Sequence, residues 1–432
     1  MNIEQSFRKV SPFAGLYFIA NAVKALNVSA LINNSLPSRS ANAVYKHSDV
    51  ALSLFSNALL QGQRLSDLGV VKEKVFTGLG FKIPSPDTVE YACQELRPVV
   101  CVEQILNIKG KVIEHQHCYS PTLNNLLTAI ALKTNQLKKG AQGYTLDFDH
   151  IVIPTQKQAA RLSYKMVKGY HPCMAAIGRI PVFIKNHNGN TPARHQQKET
   201  LALCFDDLKS HDIEIESVRA DSASYQADVI ELVESNCKYF YIRMLEFKAI
   251  LSSYGSMEES SWNKVLIGNE KVEVSSLMYQ PSKCQKAYRL VVTRKLREDL
   301  QMDIETGTAY RYSAIITNNE EKSETDVIQF YNQRGDSENT NRYMLNDFNL
   351  NSLPFMDMAT NTVYMYMMAY AAILFEWSKS ILVNNKVEAI QITMRIKAVC
   401  FHYITVAGEW VVKKGKEILK MYSEKKYQVL EI

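Results

Sequence analysis

The spacing of apolar residues changes near residue 142, and this change limits the folds available to the chain. Before it, segments such as 50–60 place apolar residues at helical spacing on one face. After it, residues 144–153 alternate between apolar and polar side chains, as a half-buried strand does. Further strands are predicted at 174–184, 213–220, 239–244, 288–294 and 310–317, with a helix at 193–208. These patterns predict an α/β protein with helical regions at both ends.

Four regions follow from these patterns. Residues 1–140 are predicted to be helical, and residues 141–244 to alternate between strands and helices. Residues 245–322 have an irregular β-rich pattern, and residues 323–432 return to helix with an interruption near Pro354. The β-rich segment is therefore predicted to interrupt the α/β part of the chain.

The composition is typical of a large globular protein. The chain has 432 residues, of which 46% are hydrophobic and 22% charged, so it is neither disordered nor collagen-like. Its net charge of +6 suits a polyanionic partner without requiring one. The apolar run 363–375 ends at Glu376 and is shorter than the about 20 residues that a membrane-spanning helix needs. It therefore predicts a buried core helix.

The cysteines and the N-terminal residues indicate the cellular compartment of the protein. None of the eight cysteines forms a C-x2-C pair, and no apolar stretch of a secretory signal follows Met1. Scattered cysteines without such a signal are typical of free thiols in a reducing environment. We therefore expect a soluble, cytoplasmic protein without a membrane partner.

Three aspartates are candidates for a functional site. Asp147 and Asp149 lie two residues apart in a predicted strand and so share one face, although aspartate is depleted in strands. The alternative is the solvent-facing side of an edge strand. Asp221 follows a second predicted strand, where the alternative is a helix N-cap.

A fourth acidic residue belongs to a polar helix face. Tyr331, Arg334 and Glu338 have the i, i+3, i+7 spacing that places them on one face of a single helix. Such a face is typical neither of a core nor of a solvated surface, and Gly335 weakens the helix by about 1 kcal/mol relative to alanine. Carboxylates that converge from two strands and a helix are suited to bind a pair of Mg²⁺ ions, which prefer oxygen ligands.

At this point the sequence resembles the DDE transposases of bacterial insertion sequences. It is similar to the branch whose glutamate motif is Y-x2-R-x3-E-x6-K and whose catalytic domain carries a β-rich insertion. The matching blocks are TLDFDHIVI (145–153), KGYHP (168–172), VRADSASYQ (218–226), YNQRGDSEN (331–339) and LPFMDMATN (353–361), with SPFAGL (11–16), GQRLSDL (62–68) and IPSPDT (83–88) in the N-terminal region. The resemblance implies a ribonuclease H-like catalytic core interrupted by the β-rich insertion.

The resemblance also implies roles for single residues. The catalytic and metal-binding residues would be Asp149, Asp221 and Glu338, with Asp147 as a second candidate for the first position. Tyr331 and Arg334 would be accessory residues that contact DNA. The chain departs from the family at two positions: Ile151 replaces a threonine, and Leu345 replaces the lysine of the glutamate motif. Arg342, one turn before Leu345, is a candidate substitute for that lysine.

The implied activity is DNA transposition. A transposase of this type would use Mg²⁺, with Mn²⁺ as a substitute, to cleave double-stranded DNA at its terminal inverted repeats and join the 3′-hydroxyls to target DNA. It would act as a homodimer near the bacterial nucleoid, and residues 1–140 would serve DNA binding and dimerisation. Two alternatives stay open: a decayed or repurposed DNA-binding copy without catalysis, and a nuclease that cuts but does not join.

A basic and aromatic segment follows the Asp149 strand and predicts contacts with DNA. Interleaved basic and aromatic side chains suit phosphate contacts and base stacking. The alternative is a solvated loop with aromatic residues packed beneath it. The C-terminal lysines after residue 412 are instead more typical of a solvated helix face. The predicted DNA-contacting residues are Lys157, Arg161, Lys165, Lys168, Tyr170 and His171.

Overall fold

The computed structural model describes residues 8, 10–74, 81–106, 110–297, 302 and 308–432, without the side chains of residues 73–74 and 336–340. Its helices are α1 (Leu16–Ala25), α2 (Val28–Ser35), α3 (His47–Leu59), α4 (Leu68–Lys74), α5 (Pro86–Glu95), α6 (Pro121–Lys133), α7 (Gln197–Ser210), α8 (Ala227–Asn236), α9 (Lys248–Gly255), α10 (Glu324–Asn332), α11 (Gly335–Asn346), α12 (Met358–Asn384) and α13 (Ile396–Val399).

The strands are β1 (Val10–Ser11), β2 (Val100–Leu106), β3 (Val112–Cys118), β4 (Tyr144–His150), β5 (Ile153–Pro154), β6 (Arg161–Leu162), β7 (Lys168–Tyr170), β8 (Cys173–Ile177), β9 (Ile180–His187), β10 (Ile215–Ala220), β11 (Tyr239–Arg243), β12 (Asn263–Ile267), β13 (Glu270–Tyr279), β14 (Tyr288–Leu296), β15 (Tyr310–Thr317), β16 (Ala407–Lys413) and β17 (Lys416–Tyr422).

One sheet of eleven strands runs through the molecule in the order β12-β13-β14-β15-β11-β10-β4-β8-β9-β3-β2. At its centre, β4, β10 and β11 are parallel, whereas β8 lies between β4 and β9 and runs antiparallel to both. The strands β12–β15 of the predicted β-rich segment extend this sheet through the antiparallel pairing of β11 with β15. Two small sheets, β5-β7-β6 and β1-β16-β17, complete the described strands.

The predicted elements of the central part are present with small shifts. The strand expected at 174–184 is a hairpin, β8 and β9, whose turn contains Gly178 with a φ of +59°. Glycine adopts this left-handed conformation without the penalty that a side chain would bring. The helix expected at 193–208 is α7, and the remaining strands are β4, β10, β11, β14 and β15.

Three helical predictions are wrong. Inside the N-terminal region, β2 and β3 form a hairpin that joins the edge of the large sheet through His117 and His187. The lysine-rich C-terminus is the hairpin β16–β17, because Lys414 and Gly415 have φ values of 53° and 74°, as a tight type I′ turn requires. The polar helix predicted across 331–338 is two helices, α10 and α11, separated at Gln333 and Arg334.

The helix α12 is the centre of the hydrophobic core. It has 27 residues, includes the apolar run 363–375, and is buried almost all round. It packs against α3, α5, α6 and β9. No single helix among the described residues meets the length and hydropathy expected of a membrane span, although the bent pair α1 and α2 does so jointly.

Candidate active site

Two aspartates lie side by side at the ends of the adjacent parallel strands β4 and β10. Asp149 is near the end of β4, and Asp221 comes directly after β10. Phe148 of β4 is in register with Ala220 of β10, so the residues that come next, Asp149 and Asp221, are neighbours. Adjacent strands lie about 4.8 Å apart, which brings the two backbones close together here. Both aspartates are half-buried. The structure thus brings together two of the acidic residues selected from the sequence.

Asp149 is held by groups from its own strand and from α11. The guanidinium of Arg334 lies 3.0 Å from Oδ1 of Asp149, and the side-chain amide of Asn341 donates to Oδ2 at 3.0 Å. The backbone N–H of His150 also donates to Oδ1, at 2.9 Å. The carboxylate is therefore oriented by donors on two sides: one from its own strand, one from α11, and one from Arg334, the residue before α11.

Asp221 caps a short turn and borders an open cavity. Its Oδ1 accepts a hydrogen bond of 3.1 Å from the backbone of Ala223, as the N-cap alternative expects. A cavity of about 610 Å³ opens beside it, and Arg243, Tyr331 and Arg334 also line this cavity. An N-cap role and a site role are compatible because one carboxylate has two oxygens.

Tyr331 fixes the strand end that precedes Asp221. Its hydroxyl donates to the carbonyl oxygen of Ala220 at 3.2 Å. Burial raises the pKa of Tyr331; the charge of Arg334 opposes this rise, and those of Asp221 and Asp149 add to it. The hydroxyl therefore keeps its proton and remains a hydrogen-bond donor at neutral pH.

Asp147 has different surroundings from Asp149 on the same strand face. It is 2% exposed, and the Arg219 guanidinium of β10 donates to both of its oxygens at 2.7 Å. Arg219 also donates to the backbone carbonyl of Phe330 in α10 at 2.8 Å. Asp147 thus belongs to a buried ion pair that connects two strands and a helix.

The side chain of Glu338 lies outside the described residues, but its backbone belongs to α11. Residue 338 comes four positions after Arg334 and three before Asn341. This spacing places the three residues on the same face of a helix. Both of its neighbours on that face contact Asp149.

The comparison with protein families decides the wider assignment. The model described as Transposase DDE domain group 1 matches residues 111–430, well over half of the chain. The chain belongs to this family of DDE transposases. The predicted membership is confirmed at this level, whereas the bacterial insertion-sequence branch and its glutamate motif stay predictions.

Two further comparisons were made for this DDE transposase. A comparison with curated protein sequences gives no match. Among solved structures, the chain is similar to a piggyBac transposase, determined by cryo-EM as a synaptic complex with hairpin DNA. The TM-score is 0.44 with 14% sequence identity, over 91% of this chain and 79% of that chain.

The donor set of the site fits a divalent cation. Asp149 and Asp221 offer carboxylate oxygens, which Mg²⁺ and Mn²⁺ prefer. No cluster of three or more metal-binding side chains occurs within the described ranges, which do not include the side chain of Glu338. The described part of the site therefore contains two of the three predicted ligands, and their role in metal binding stays a prediction.

The predicted DNA-contacting residues separate into exposed and buried groups. Arg161 and Lys165 are exposed and Lys168 is half-buried, on a hairpin formed by β6 and β7 that we call the basic hairpin (residues 161–170). Tyr170 and His171 are 0% and 1% exposed, so neither ring is available to stack on a base. This corrects their expected place at the DNA surface.

Two other predicted DNA-contacting residues, Lys157 and Arg342, lie outside the basic hairpin. The ammonium group of Lys157 donates to the carbonyl oxygen of Pro354 at 3.1 Å and so ties two loops together. Arg342 on α11 is exposed. Neither feature excludes a contact with DNA, and both residues stay predictions.

The basic hairpin has an aromatic side chain that the prediction did not select. Tyr164 is 69% exposed at its tip, and the ammonium group of Lys165 lies 5.6 Å from its ring centroid. Tyr164 also lies 5.6 Å from the ring of His171, whose pKa is lowered by burial and raised by the nearby charge of Asp221. Two residues after His171, Cys173 of β8 pairs with His150 of β4, so the base of the hairpin lies close to Asp149.

The two departures from the family pattern occupy hydrophobic positions. Ile151 is 6% exposed in the core, and Leu345 of α11 packs partly buried against that core. Both substitutions therefore extend the core and leave Asp149 and Asp221 unobstructed.

Three site residues were missed by sequence reasoning. Arg219 lies two positions before Asp221 on a buried strand, where a lone arginine signals a carboxylate partner. Asn341 repeats the helical spacing of Arg334 and residue 338, which is a second usable signal. Arg243 lines the cavity from the end of β11, and no local pattern marks it.

Proposed function

We propose that the chain is a Mg²⁺-dependent transposase that cleaves DNA at terminal inverted repeats and joins the 3′-hydroxyls to target DNA. The observation that carries the proposal is the pair Asp149 and Asp221 at the ends of adjacent parallel strands, in a member of the DDE transposase family. The strand order β9-β8-β4-β10-β11, in which β8 runs antiparallel to the other four strands, supports a ribonuclease H-like core.

In this proposal Asp149, Asp221 and Glu338 hold the metal ions, and Asp147 does not. Asp147 is 2% exposed, and two hydrogen bonds from the Arg219 guanidinium compensate its charge. A bound pair of divalent ions would stabilise the charge on the attacking and leaving oxygens of the phosphodiester. Asp149, by contrast, is half-buried, neighbours Asp221 and contacts Arg334, which lines the cavity.

Arg334 is proposed to contact a DNA phosphate. Its guanidinium is mostly buried beside Asp149 and lines the cavity next to Asp221. A guanidinium presents parallel donors that suit phosphate oxygens. Arg334 would thereby orient the phosphodiester, while Tyr331 holds the strand end that carries Asp221.

DNA is the proposed partner, in the form of two element ends held by a homodimer. The net charge of +6 and the exposed basic hairpin beside Asp221 support a polyanionic partner. The N-terminal region is proposed to contribute to DNA binding and dimerisation.

A cleavage assay tests the proposal. The purified full chain is incubated with a duplex that carries the element's terminal repeat, in Mg²⁺ or in EDTA. We expect metal-dependent nicks at the repeat boundary, and a loss of at least about 10³-fold for Asp149→Asn and Asp221→Asn, since an active site loses most of its electrostatic stabilisation with such a group. Asp212→Asn is the matched control because Asp212 is exposed and pairs with Lys139.

Metal binding gives a second readout that does not depend on cleavage. Mn²⁺ should raise the thermal unfolding midpoint of the wild-type chain and of Asp212→Asn, but not that of Asp221→Asn. Tight binding of the repeat without nicks, in Mn²⁺ as well as Mg²⁺, would instead support a DNA-binding copy without catalysis. Nicks without strand-transfer products would support a nuclease that does not join.

A further inference from the structure

The cavity beside Asp221 continues into a second cavity along the sheet. The second cavity has a volume of about 390 Å³ and shares Arg243, Tyr331 and Asn332 with the first. Because three residues line both, the two cavities form one groove that leads away from Asp221. Its far part lies over β13, β14 and β15, the strands that extend the central sheet.

The groove exists because α10 is shorter than the sheet face on which it packs. Val327, Ile328 and Tyr331 of α10 bury apolar residues of this face, including Val291 and Ile315. The helix ends at Asn332. Beyond this end the sheet face changes from apolar to polar and basic, and no described helix covers it.

The far end of the groove carries two opposed positive charges. Lys295 of β14 and Arg311 of β15 are directly opposite in the antiparallel ladder, and both are exposed. Like charges in this position repel each other and destabilise the strand pair. Glu270 lies 3.1 Å from Lys295, whereas Arg311 has no ion pair within the part of the chain that the structure describes. A negatively charged ligand would relieve this repulsion.

The middle of the groove is polar but uncharged. Thr293 and Ser313 are opposite each other, one step closer to Asp221 along the same face, and their hydroxyls are 2.6 Å apart. The next pair, Val291 and Ile315, is apolar. A basic end, hydroxyls and an apolar floor suit the phosphates and sugars of a nucleic-acid strand.

We propose that this groove binds a single strand of DNA that continues from the cleavage site. Ile315 is level with Arg243, and Arg311 comes four residues earlier on β15, which is about 13 Å at the rise of a strand. This length corresponds to at most about four nucleotides, because 3.4 Å is the spacing in a stacked duplex strand and an unpaired strand is more extended. Arg243 would contact a phosphate at the near end, and Lys295 and Arg311 would contact phosphates at the far end. The inference rests on the proposed function, since it gives the DNA a path from Asp221.

The occupant is a single strand because the volume of the groove is small. Its walls are α10 and the polar face of the sheet, and its volume of about 390 Å³ is well below what a duplex segment of this length would fill. A duplex would then contact the basic hairpin and the rim of the groove. The inference therefore distinguishes DNA with an unpaired extension from blunt DNA.

Binding measurements with two DNA probes test the groove. One probe is a fluorescent duplex of mixed sequence with a single-stranded 3′ extension longer than the groove, and the other is the same duplex with blunt ends. Fluorescence anisotropy in EDTA, over a range of salt concentrations, gives the number of phosphate contacts. The variants are the double substitution Lys295→Gln/Arg311→Gln and the control Lys271→Gln. Lys271 lies between the groove residues Glu270 and Val272 on β13. Because successive side chains of a strand point to opposite faces, Lys271 lies on the face away from the groove.

We expect the wild-type chain to bind the extended probe with a steeper salt dependence than the blunt probe. The double variant should lose about 1.4 units of that slope, or about 0.7 for each single-strand phosphate contact, whereas Lys271→Gln should keep it. The thermal unfolding midpoint of the double variant should not fall, because the substitutions remove the two opposed positive charges. An unchanged slope in the folded double variant would overturn the inference.

A nicking assay on the wild-type chain separates this outcome from that of the proposed function. Nicks at the repeat boundary together with an unchanged salt slope would refute the groove and leave the transposase assignment in place. A reduced slope without nicks would support the groove and refute the catalytic assignment.

Discussion

At the scale of single residues, the bidentate pair of Asp147 and Arg219 is the strongest electrostatic contact behind the site. Both side chains are less than a tenth exposed, so removing one partner leaves a buried charge without compensation. Asp147→Asn should therefore lower the free energy of unfolding by about 3–5 kcal/mol. Denaturant unfolding measures this loss, and the Mn²⁺-induced rise in the unfolding midpoint should survive in the folded variant. Loss of that rise would make Asp147 a metal ligand.

The double replacement Asp147→Leu/Arg219→Met is the matched control for this prediction. It removes both charges together, and replacing a buried ion pair with apolar side chains of similar volume is often neutral for stability. A double variant as unstable as Asp147→Asn would show that packing, rather than the unpaired charge, accounts for the loss.

A second prediction at this scale concerns pH. Burial lowers the pKa of His187 well below its ordinary value of 6.5, and the nearby groups His150, Lys185, His117 and His171 lower it further. The folded chain keeps His187 neutral while the unfolded chain takes up a proton below pH 6.5. Stability should thus be complete above pH 6.5 and fall below it, by up to about 1.4 kcal/mol per pH unit for this residue.

Denaturant unfolding at several pH values measures this slope. His187→Gln should flatten it, whereas His211→Gln, at the C-cap of α7, should not. An unchanged slope in folded His187→Gln would contradict the assignment.

At the scale of elements, the basic hairpin is the part of the site region most open to DNA. Arg161→Gln/Lys165→Gln should weaken binding to duplex DNA of any sequence and reduce the salt slope by about 1.8, or about 0.9 for each phosphate contact. Tyr164→Ala should weaken single-strand binding by about 1–3 kcal/mol, the usual value of one stacked base. Anisotropy titrations measure both effects.

Lys139→Gln provides the control for the hairpin, because Lys139 is exposed elsewhere and pairs with Asp212. If the double variant of the hairpin bound DNA as tightly as this control, the hairpin would be a solvated loop. Tyr170→Phe should have no effect on base stacking, because the ring of Tyr170 is fully buried.

The same hairpin indicates what the sequence could and could not predict. The basic residues and the position of the segment after Asp149 are local features, and they were predicted. The burial of Tyr170 and His171 depends on β9 and on the loop near Thr191, whose carbonyl oxygen is hydrogen-bonded to the His171 ring. No local pattern contains this information. Glu338 was placed on a helix correctly, but the break before Gly335 was not predicted, because Gln333 and Arg334 keep helical backbone angles.

At the scale of the whole molecule, long-range pairing decided what sequence analysis missed. Alternation along the sequence was sufficient to predict the strand that contains Asp149 and the strand that precedes Asp221. The hairpin β2–β3 joins the sheet only through β9, and β12–β15 extend it only through β11. Such pairings depend on residues far apart in the sequence, so the continuous sheet of eleven strands could not be predicted.

The final prediction concerns α12, which connects the N-terminal helices to the catalytic part. The family match begins at residue 111, but α3 and α5 before it cover one side of α12. A fragment of residues 111–432 would expose that apolar side to water, at a cost of about 25 cal/mol for each Å². We therefore expect this fragment to aggregate when expressed alone and to become soluble when residues 1–110 are co-expressed, as size-exclusion chromatography would measure. A fragment that is monomeric and unfolds cooperatively alone would mean that the N-terminal helices are dispensable for folding, and that their packing on α12 contributes little to the stability of the catalytic part.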